Sequence, residues 1–391
     1  MKISQTSIIR NALLIAGSLT AAAQLQAQIT SIDPGNIYLL QAGDGVTTAG
    51  SGEGAPALID EFNTSQSAGG GTANGFVAQT ALPTTPASDG GNFLTQGQGQ
   101  QDGQLFYDPV GNTLAFGGYS GTPVNASINN PAANRDIGQL SSGGTFSFAV
   151  QNANEYGGNN TSGGLLRGAA TDGNGNYWAS GTASSGGLQG VWYYGGGTPA
   201  ALLGTGISTR GLEIYGGNLF YTTGSGLSMI SGTPKSGTQT PTLLFAAGAT
   251  PYGFTMSPNM LTAYVANESG GIVKAVYSGT FSGGAYSGGT WTTTTIDSGT
   301  KFDWVTADFS KANPVIYATT LASSTGNQLD QIVDNGGSDP VTLLDTITGT
   351  SADSGNYDGL VFIPTPTPEP SVCALAGLGL LLSVGKWLRR K

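Results

Sequence analysis

The chain has 391 residues, and its 13 Lys and Arg against 23 Asp and Glu give a formal net charge of −10. It contains no histidine and a single cysteine, Cys373. The lack of histidine excludes Ser-His-Asp and Cys-His catalysis and imidazole metal sites. The single cysteine excludes zinc-thiolate sites. Carboxylate chemistry and oxygen-ligand metal sites are the classes that remain.

Residues 1–27 have the pattern of a secretory signal peptide. Lys2 and Arg10 precede an apolar stretch over residues 12–23, and the small residue Ala27 ends the segment. We expect cleavage after Ala27 and export through the Sec translocon, with a body that covers residues 28–363.

The composition of this body favours an all-β fold. Seven of the 13 basic residues and 22 of the 23 acidic residues lie in it, a formal charge near −15. Such a surface repels nucleic acid and anionic membranes. The 65 glycines and 18 prolines of the chain interrupt nearly every candidate helix. The 5 Trp, 15 Tyr and 14 Phe argue against disorder.

One sequence unit recurs along the body: a strand with small residues, a tight polar turn and an aromatic-rich second strand. Two further strand candidates follow each unit. The units begin at Gly103, Gly168, Gly211, Gly253 and Trp304, at spacings of 65, 43, 42 and 51 residues. A period near 40–50 residues in an all-β chain is typical of β-propeller blades, each a four-stranded sheet beside a central channel. The sequence therefore predicts a β-propeller.

The two ends of the body complement each other. It opens with three strand candidates, residues 36–40, 57–62 and 76–82, and closes with a lone one, residues 357–363. The lone strand carries Asp358-Gly359-Leu360, a pattern like Arg210-Gly211-Leu212 of a repeated first strand. One blade built from both ends leaves no open sheet edge. We expect six blades, and the 65-residue first interval leaves room for a seventh.

A calcium site is the first candidate among the acidic residues. Asp172-Gly-Asn174-Gly-Asn176 matches the first half of an EF-hand loop, but Tyr177 stands where that loop requires Gly, and the final Glu is missing. A hairpin turn is the favoured interpretation. No metal-ligating or cofactor-binding residue is predicted, and Ca²⁺ is the one cofactor that the acid excess permits.

Paired carboxylates are the second candidate. Asp60 and Glu61 are adjacent in a strand, so their side chains fall on opposite faces and cannot form a catalytic pair. Asp330 and Asp334 could share a face, but solvated charges at a sheet edge are the favoured interpretation. No catalytic residue is predicted.

Arg167 and Arg210 occupy equivalent positions directly before two of the repeated first strands. They are candidate residues of the channel mouth, where two guanidinium groups would bind an anionic sugar. The favoured alternative is that each arginine pairs with main-chain carbonyls or acids between blades.

The last 28 residues have three parts. Residues 364–370 form a Pro/Thr spacer that ends in Pro368-Glu369-Pro370, and prolines favour an extended, accessible chain. An apolar segment follows, and Lys386, Arg389, Arg390 and Lys391 form a basic stop. The segment over residues 371–391 contains about 18 residues suited to cross a membrane as a single helix.

These three parts in this order resemble the PEP-CTERM sorting signal of Gram-negative bacteria, also called the ice-binding-protein C-terminal domain. The resemblance implies recognition by an exosortase, removal of the tail near Pro-Glu-Pro, and delivery to the cell surface or the exopolysaccharide matrix. Before removal, the tail would hold the protein in the inner membrane. The alternative is an ordinary membrane anchor.

The sequence favours a non-enzymatic protein of the cell surface or biofilm matrix, acting in adhesion, as a scaffold or by binding extracellular polysaccharide. The alternative is a secreted lyase or glycoside hydrolase with two carboxylates in the propeller channel. A calcium-dependent binding module is a third hypothesis. Fold alone does not decide among them, because propellers carry many functions.

Overall fold

The computed structural model describes residues 27–44, 53–64, 75–84, 93–96, 102–120, 134–151, 153–157, 164–183, 189–203, 206–321, 326–337, 339–347 and 355–366. Over these ranges the chain forms 27 β-strands and one 3-10 helix, Asn154–Gly157. The all-β prediction is confirmed. No helix within the same ranges is long and apolar enough to cross a bilayer. The tail over residues 367–391 and most of the predicted signal peptide lie outside the described residues.

The strands group into six four-stranded antiparallel blades, of which four are separate sheets and two belong to one nine-stranded sheet. Blade 1 contains β27 (Asn356–Phe362), β1 (Asn36–Ala42), β2 (Gly54–Asn63) and β3 (Phe76–Ala81). Blade 2 contains β5 (Leu105–Asp108), β6 (Thr113–Ser120), β7 (Asn134–Leu140) and β8 (Phe146–Val150). Blade 3 contains β9 (Leu165–Thr171), β10 (Tyr177–Thr182), β11 (Gly190–Tyr194) and β12 (Ala200–Ala201).

The second half of the ring repeats this pattern. Blade 4 contains β13 (Thr209–Tyr215), β14 (Asn218–Thr223), β15 (Gly226–Ile230) and β16 (Thr242–Phe245). Blade 5 contains β17 (Pro251–Met256), β18 (Thr262–Asn267), β19 (Ile272–Tyr277) and β22 (Trp291–Ile296). Blade 6 contains β23 (Phe302–Asp308), β24 (Val315–Thr320), β25 (Asn327–Val333) and β26 (Val341–Ile347).

Three short strands lie outside the blade pattern. β4 (Leu94–Gln96) pairs with both β2 and β6 and so joins blades 1 and 2 into one larger sheet. β20 (Thr280–Ser282) and β21 (Ala285–Ser287) form a separate hairpin between β19 and β22. The sequence did not predict β4 or this hairpin.

The inner strands close into a ring. The first strand of each blade contacts the first strand of the next, in the order β5, β9, β13, β17, β23, β27 and back to β5. The predicted six-bladed propeller is therefore confirmed. The described residues contain no seventh four-stranded sheet, and the long first interval holds blade 2 and the 3-10 helix instead.

The ring is closed by the chain's two ends, as the sequence predicts. β27 pairs antiparallel with β1, with Ile37 opposite Phe362 and Leu39 opposite Leu360. The pairing continues past the strands, because Gly35 N–H donates to the Ile363 carbonyl (2.7 Å) and Ile363 N–H donates to the Asn36 carbonyl (2.9 Å). Both free edges that an open six-blade array would carry are thereby covered.

Glycines set how closely neighbouring inner strands approach. A Cβ on Gly359 would lie 2.2 Å from the Gly103 carbonyl oxygen of the next blade, and one on Gly253 would lie 2.7 Å from the Trp304 Cα. Both distances are too short for any side chain. The small residues predicted for the first strands are therefore required by contact between blades, not by the turns beside them.

Hydroxyl groups on the second strands reinforce these contacts. Each donates a hydrogen bond to a main-chain carbonyl on the inner strand of the following blade: Ser180 to Arg210, Thr222 to Tyr252 (2.5 Å) and Thr319 to Asp358 (3.3 Å). Three blade junctions thus contain the same type of hydrogen bond, from a second-strand hydroxyl group to an inner-strand carbonyl. Bulky apolar residues fill the wider space farther out, where Trp178, Phe220 and Tyr221 are almost fully buried.

The expectation of solvated charges at Asp330 and Asp334 is wrong. Both residues are 5% exposed. The Asp334 carboxylate lies 2.6 Å from Lys274 Nζ and accepts a hydrogen bond from the Tyr264 hydroxyl (2.5 Å). Lys274 and Tyr264 belong to blade 5, so Asp334 links blades 5 and 6. Burial raises the pKa of Asp330 to about 6.

Replacing Gly359 by Ala should destabilise the propeller by about 3 kcal/mol, because the added methyl group overlaps main-chain atoms that cannot move independently. Gly337→Ala is the matched control, since a Cβ there meets nothing within 4 Å. Urea denaturation followed by tryptophan fluorescence measures both. Equal stability of the two variants would show that the inner strands can separate without cost.

Candidate functional site on the propeller axis

One residue of each blade occupies the position directly before the glycine, or before Trp304 in blade 6. It belongs to the inner strand in five blades and precedes β5 in blade 2. These six residues, the axial ring, are Asp102, Arg167, Arg210, Tyr252, Asp303 and Asp358. In five blades the pairing with the second strand is interrupted at this position by a bulge. A bulge adds a residue to one strand and redirects its side chain. The repeated bulge therefore places a polar residue of each of these five blades beside the axis.

The two predicted channel-mouth residues, Arg167 and Arg210, lie in this ring and flank Tyr252. Their guanidinium carbons are 5.9 and 4.2 Å from the centre of the Tyr252 ring. Arg210 donates to the Pro251 carbonyl (2.6 Å), and Arg167 donates to the Ser208 hydroxyl (3.1 Å) and the Thr209 carbonyl (3.3 Å). Each arginine therefore binds the main chain of the following blade. Binding of an anionic sugar to them stays a prediction.

The axial ring brings opposite charges together. Burial raises the pKa of Tyr252 to about 12, although the nearby Arg167 and Arg210 oppose the shift. Burial also raises the pKa of Glu268, which reaches the ring from the turn after β18, and Arg210 again opposes it. Asp102, Asp303 and Asp358 are at most 1% exposed. Charges this closely packed hold the blades together, and the ring is a structural junction at this end of the axis.

A cavity of about 410 Å³, the axial pocket, lies toward the other end of the inner strands. The later residues of five of the six inner strands line it, together with the turns that follow them and the start of the C-terminal tail. The lining includes Phe106, Tyr107, Glu213, Tyr215, Thr255, Thr306, Asp308, Phe309, Phe362, Pro364 and Thr365. Aromatic rings and a few polar groups therefore surround one concave space, as in many small-molecule sites.

Glu213 is one of the two buried carboxyl groups of this pocket and is 8% exposed. The Gln104 amide nitrogen donates to Glu213 Oε1 (3.2 Å), while the Gln104 amide oxygen accepts from Leu212 N–H (2.6 Å) and fixes the orientation of that amide. Burial raises the pKa of Glu213 to about 8, against the opposing effect of hydrogen bonds from Tyr215 and Gln104. Glu213 is thus a carboxylic acid that is mostly protonated at neutral pH.

Asp308 is the second carboxyl group of the pocket, and its hydrogen bonds stabilise a turn. Its Oδ1 accepts from Ser310 N–H (2.8 Å), and its Oδ2 lies 3.6 Å from Lys311 Nζ. Asp108 occupies the same place in blade 2, where it accepts from Val110 N–H (3.0 Å) and Gly111 N–H (2.7 Å). Asp308 therefore caps the connection between the first two strands of its blade, as Asp108 does.

Sequence reasoning missed Glu213, and the bulge explains why. Glu213 lies three residues after Arg210, so regular alternation would place the two side chains on opposite faces of β13. The bulge at Arg210-Gly211 inserts a residue and resets the alternation. The repeat alignment nevertheless marks Glu213 as unusual, because it is the only charged residue at its position. The aligned positions of the other repeated units hold the uncharged residues Leu105, Ala170, Thr255 and Thr306.

The remaining sequence candidates do not form a site. Asp172 Oδ1 accepts from Asn174 N–H (2.9 Å) and its Oδ2 from the Asn176 amide (2.8 Å), in the turn between β9 and β10. This is the predicted hairpin turn. Among the residues that the structure describes, no three His, Cys, Asp or Glu side chains group as metal ligands do.

Asp60 and Glu61 have separate partners, as their alternation predicts. Asp60 accepts from the Gln79 amide (2.6 Å), whereas Glu61 accepts from the Asn36 amide (2.6 Å) and the Tyr38 hydroxyl (2.9 Å). The sorting motif Pro368-Glu369-Pro370 and the basic stop lie outside the described residues.

Comparison with known proteins bears on the fold alone. No protein-family model and no curated protein matches the chain. Among solved structures, TolB from Acinetobacter baumannii has a TM-score of 0.49 at 10% identity, over 93% of this chain and 75% of that one. AofleA from Arthrobotrys oligospora has a TM-score of 0.45 at 10% identity, over 88% of this chain and 98% of that one.

The Aleuria aurantia lectin has a TM-score of 0.39 at 13% identity, over 87% of this chain and 100% of that one. That lectin is described as a six-bladed β-propeller with a novel fucose recognition mode. Similarity this low carries no argument about ligand or activity. The six-blade architecture is established by the strand pairing and the closed ring of inner strands in the chain itself.

Replacing Glu213 by Gln should stabilise the protein in a pH-dependent way. The pKa of Glu213 is about 8 in the folded state and its ordinary value is 4.5, so between these values the folded state holds a proton that the unfolded chain has lost. Wild type therefore loses stability relative to E213Q as pH rises from 4.5 to about 8, with a slope of at most about 1.4 kcal/mol per pH unit. Above that range the difference is constant.

Urea denaturation of both proteins across this pH range measures the difference. Parallel stability curves for the two proteins would contradict the assignment of a neutral Glu213.

Proposed function

We propose that this protein is an exported, non-catalytic propeller that binds a saccharide in its axial pocket. The observation that carries the proposal is the pocket itself, in which aromatic side chains, hydroxyl groups and two carboxyl groups, those of Glu213 and Asp308, line a single cavity of about 410 Å³. Pockets of about 300–1,000 Å³ with an apolar lining and a few placed polar groups suit small ligands.

The lining chemistry supports a sugar as the ligand. The C–H face of a pyranose is apolar and packs on aromatic rings such as Tyr107, Tyr215 and Phe309, and its hydroxyl groups exchange hydrogen bonds with Thr255, Thr306 and Glu213. The axial ring does not offer the same opportunity, because five of its six side chains are buried and its two arginines bind the main chain of the neighbouring blades.

A catalytic function is the second candidate, and Glu213 is the observation that favours it. A carboxyl group with a raised pKa is suited to act as a general acid, and a glycosidase needs a second, ionised carboxylate about 5–10 Å away. Asp308 is the other carboxyl group of the pocket, but turn amides and Lys311 engage it. We therefore favour binding without turnover.

Export and sorting complete the proposal. The propeller is closed by residues 36–362, so removal of the signal peptide and of the tail leaves every blade intact. We propose that the Sec translocon exports the chain, that an exosortase cuts the tail near Pro368-Glu369-Pro370, and that the body is released to the cell surface or the polysaccharide matrix.

The binding proposal predicts that the purified body binds one or more members of a panel of free neutral and charged saccharides. Calorimetry and ligand-observed NMR measure this binding. Tyr107→Ala should weaken that binding about tenfold through loss of one aromatic face. Tyr177→Ala is the matched control. Both tyrosines are half-buried, and each hydroxyl donates to a side-chain amide oxygen, that of Asn112 for Tyr107 and of Gln139 for Tyr177.

Loss of binding in Tyr177→Ala alone would place the ligand elsewhere on the propeller. Failure of the whole panel would overturn the binding proposal. The same mixtures should contain no new reducing ends and no unsaturated products. Products that form with wild type and not with Glu213→Gln would favour the catalytic function.

The sorting proposal predicts that the protein in its native host loses about 20 C-terminal residues, which intact mass measures, and is found at the surface or in the matrix. Replacing Pro368-Glu369-Pro370 by three alanines should block both. An uncut tail in wild type, with the body retained in the inner membrane, would identify the tail as a plain anchor.

A further inference from the structure

The charge of the axial pocket is one-sided. Glu213 and Asp308 line it, and none of its lining residues is basic. Asp308 is compensated by Lys311 at 3.6 Å. Glu213 receives hydrogen bonds from the neutral groups of Gln104 and Tyr215, and the described residues place no basic partner in salt-bridge contact with it. The pocket therefore contains a buried acid whose ionised form lacks a counter-charge from the protein.

The aromatic lining has the same preference for positive charge. Phe106, Tyr107, Tyr215, Phe309 and Phe362 all border the cavity. The face of an aromatic ring is the negative end of its quadrupole, and it attracts ammonium groups, most strongly where water is excluded. The body's formal charge near −15 also raises the local concentration of cations around the protein.

We propose that the axial pocket takes a saccharide with a free ammonium group, such as a glucosamine residue, and that Glu213 is the residue that determines this specificity. The proposal rests on the proposed saccharide-binding function and names its ligand class. The ammonium group would lie against Glu213, with the sugar ring on the aromatic lining. An N-acetyl group in the same place carries no charge, so the acid would stay protonated and no ion pair would form.

Binding is then linked to the release of a proton. An approaching cation favours the ionised form of Glu213, so the acid that is protonated in the empty pocket gives up its proton when the ligand binds. Glu213 contacts Tyr215 on its own strand and Gln104 before β5, and the other titratable groups of the lining are Tyr107 on β5 and Asp308 on β23. The β17 and β27 segments contribute no titratable side chain to the lining.

The test compares the β-1,4-linked trimer of glucosamine with the trimer of N-acetylglucosamine, by calorimetry at about pH 6.5 in two buffers of different ionisation enthalpy. Wild type should bind the glucosamine trimer about 10- to 100-fold more tightly, the range of a hydrogen bond between charged groups, and should release one proton. Glu213→Gln should lose that preference and the proton release while remaining folded. Asp297→Asn removes one negative charge outside the pocket and should leave both unchanged.

Three outcomes overturn the inference. The N-acetylated trimer binds as tightly as the amine, E213Q binds the amine as wild type does, or D297N loses as much affinity as E213Q. In the first two cases the saccharide-binding function survives, because a sugar still binds. Failure of every saccharide, neutral and charged, overturns both proposals together.

Discussion

The structure depends on how closely the inner strands of neighbouring blades approach each other. At Gly359, Gly253 and Gly211 a Cβ would lie within 3 Å of main-chain atoms of the next blade. This contact fixes the radius of the ring, and the hydroxyl groups of Ser180, Thr222 and Thr319 hold it from the second strands. With the backbones this close at one end of the axis, the side chains of the axial ring pack against one another, and the axial pocket lies toward the other end.

The two ends of the axis consequently have different chemistry. At the axial ring, acids and arginines are packed among themselves and against the main chain. In the axial pocket, the lining is aromatic and acidic, with no basic residue. Five of the inner strands that meet at the rigid junction also line the cavity, so the junction fixes the positions of the side chains in the pocket.

The architecture could be read from the sequence to a large extent because each blade carries its own local signals. The 42- to 51-residue spacing, the small residues of the first strands and the bulky residues of the second strands all follow from the geometry of a blade. The likeness of Asp358-Gly359-Leu360 to Arg210-Gly211-Leu212 revealed the closure. Both patterns depend only on residues near each other in the chain or on a repeat, which a single sequence contains.

The site could not be read in the same way because it depends on contacts between distant residues. Glu213 meets Gln104, 109 positions earlier, across the ring. The bulge that turns Glu213 toward the pocket leaves no mark beyond an Arg-Gly pair. Asp334 was expected in solvent because nothing in its strand predicts Lys274 and Tyr264 beside it. Side-chain environment is set by which blades become neighbours.

The pairing of β27 with β1 also determines how the protein bears mechanical load. β27 runs antiparallel to β1, so the end of β27 lies beside the start of β1. The chain therefore enters β1 and leaves Ile363 at the same end of the strand pair. Tension between the two ends would open this ladder one hydrogen bond at a time, beginning with the pair that joins Gly35 and Asn36 to Ile363. Tension between the tail and the opposite side of the propeller would instead be shared by many bonds at once. The ring would therefore open at a low force when the two chain ends are pulled apart, and at a higher force when the load runs along the strands.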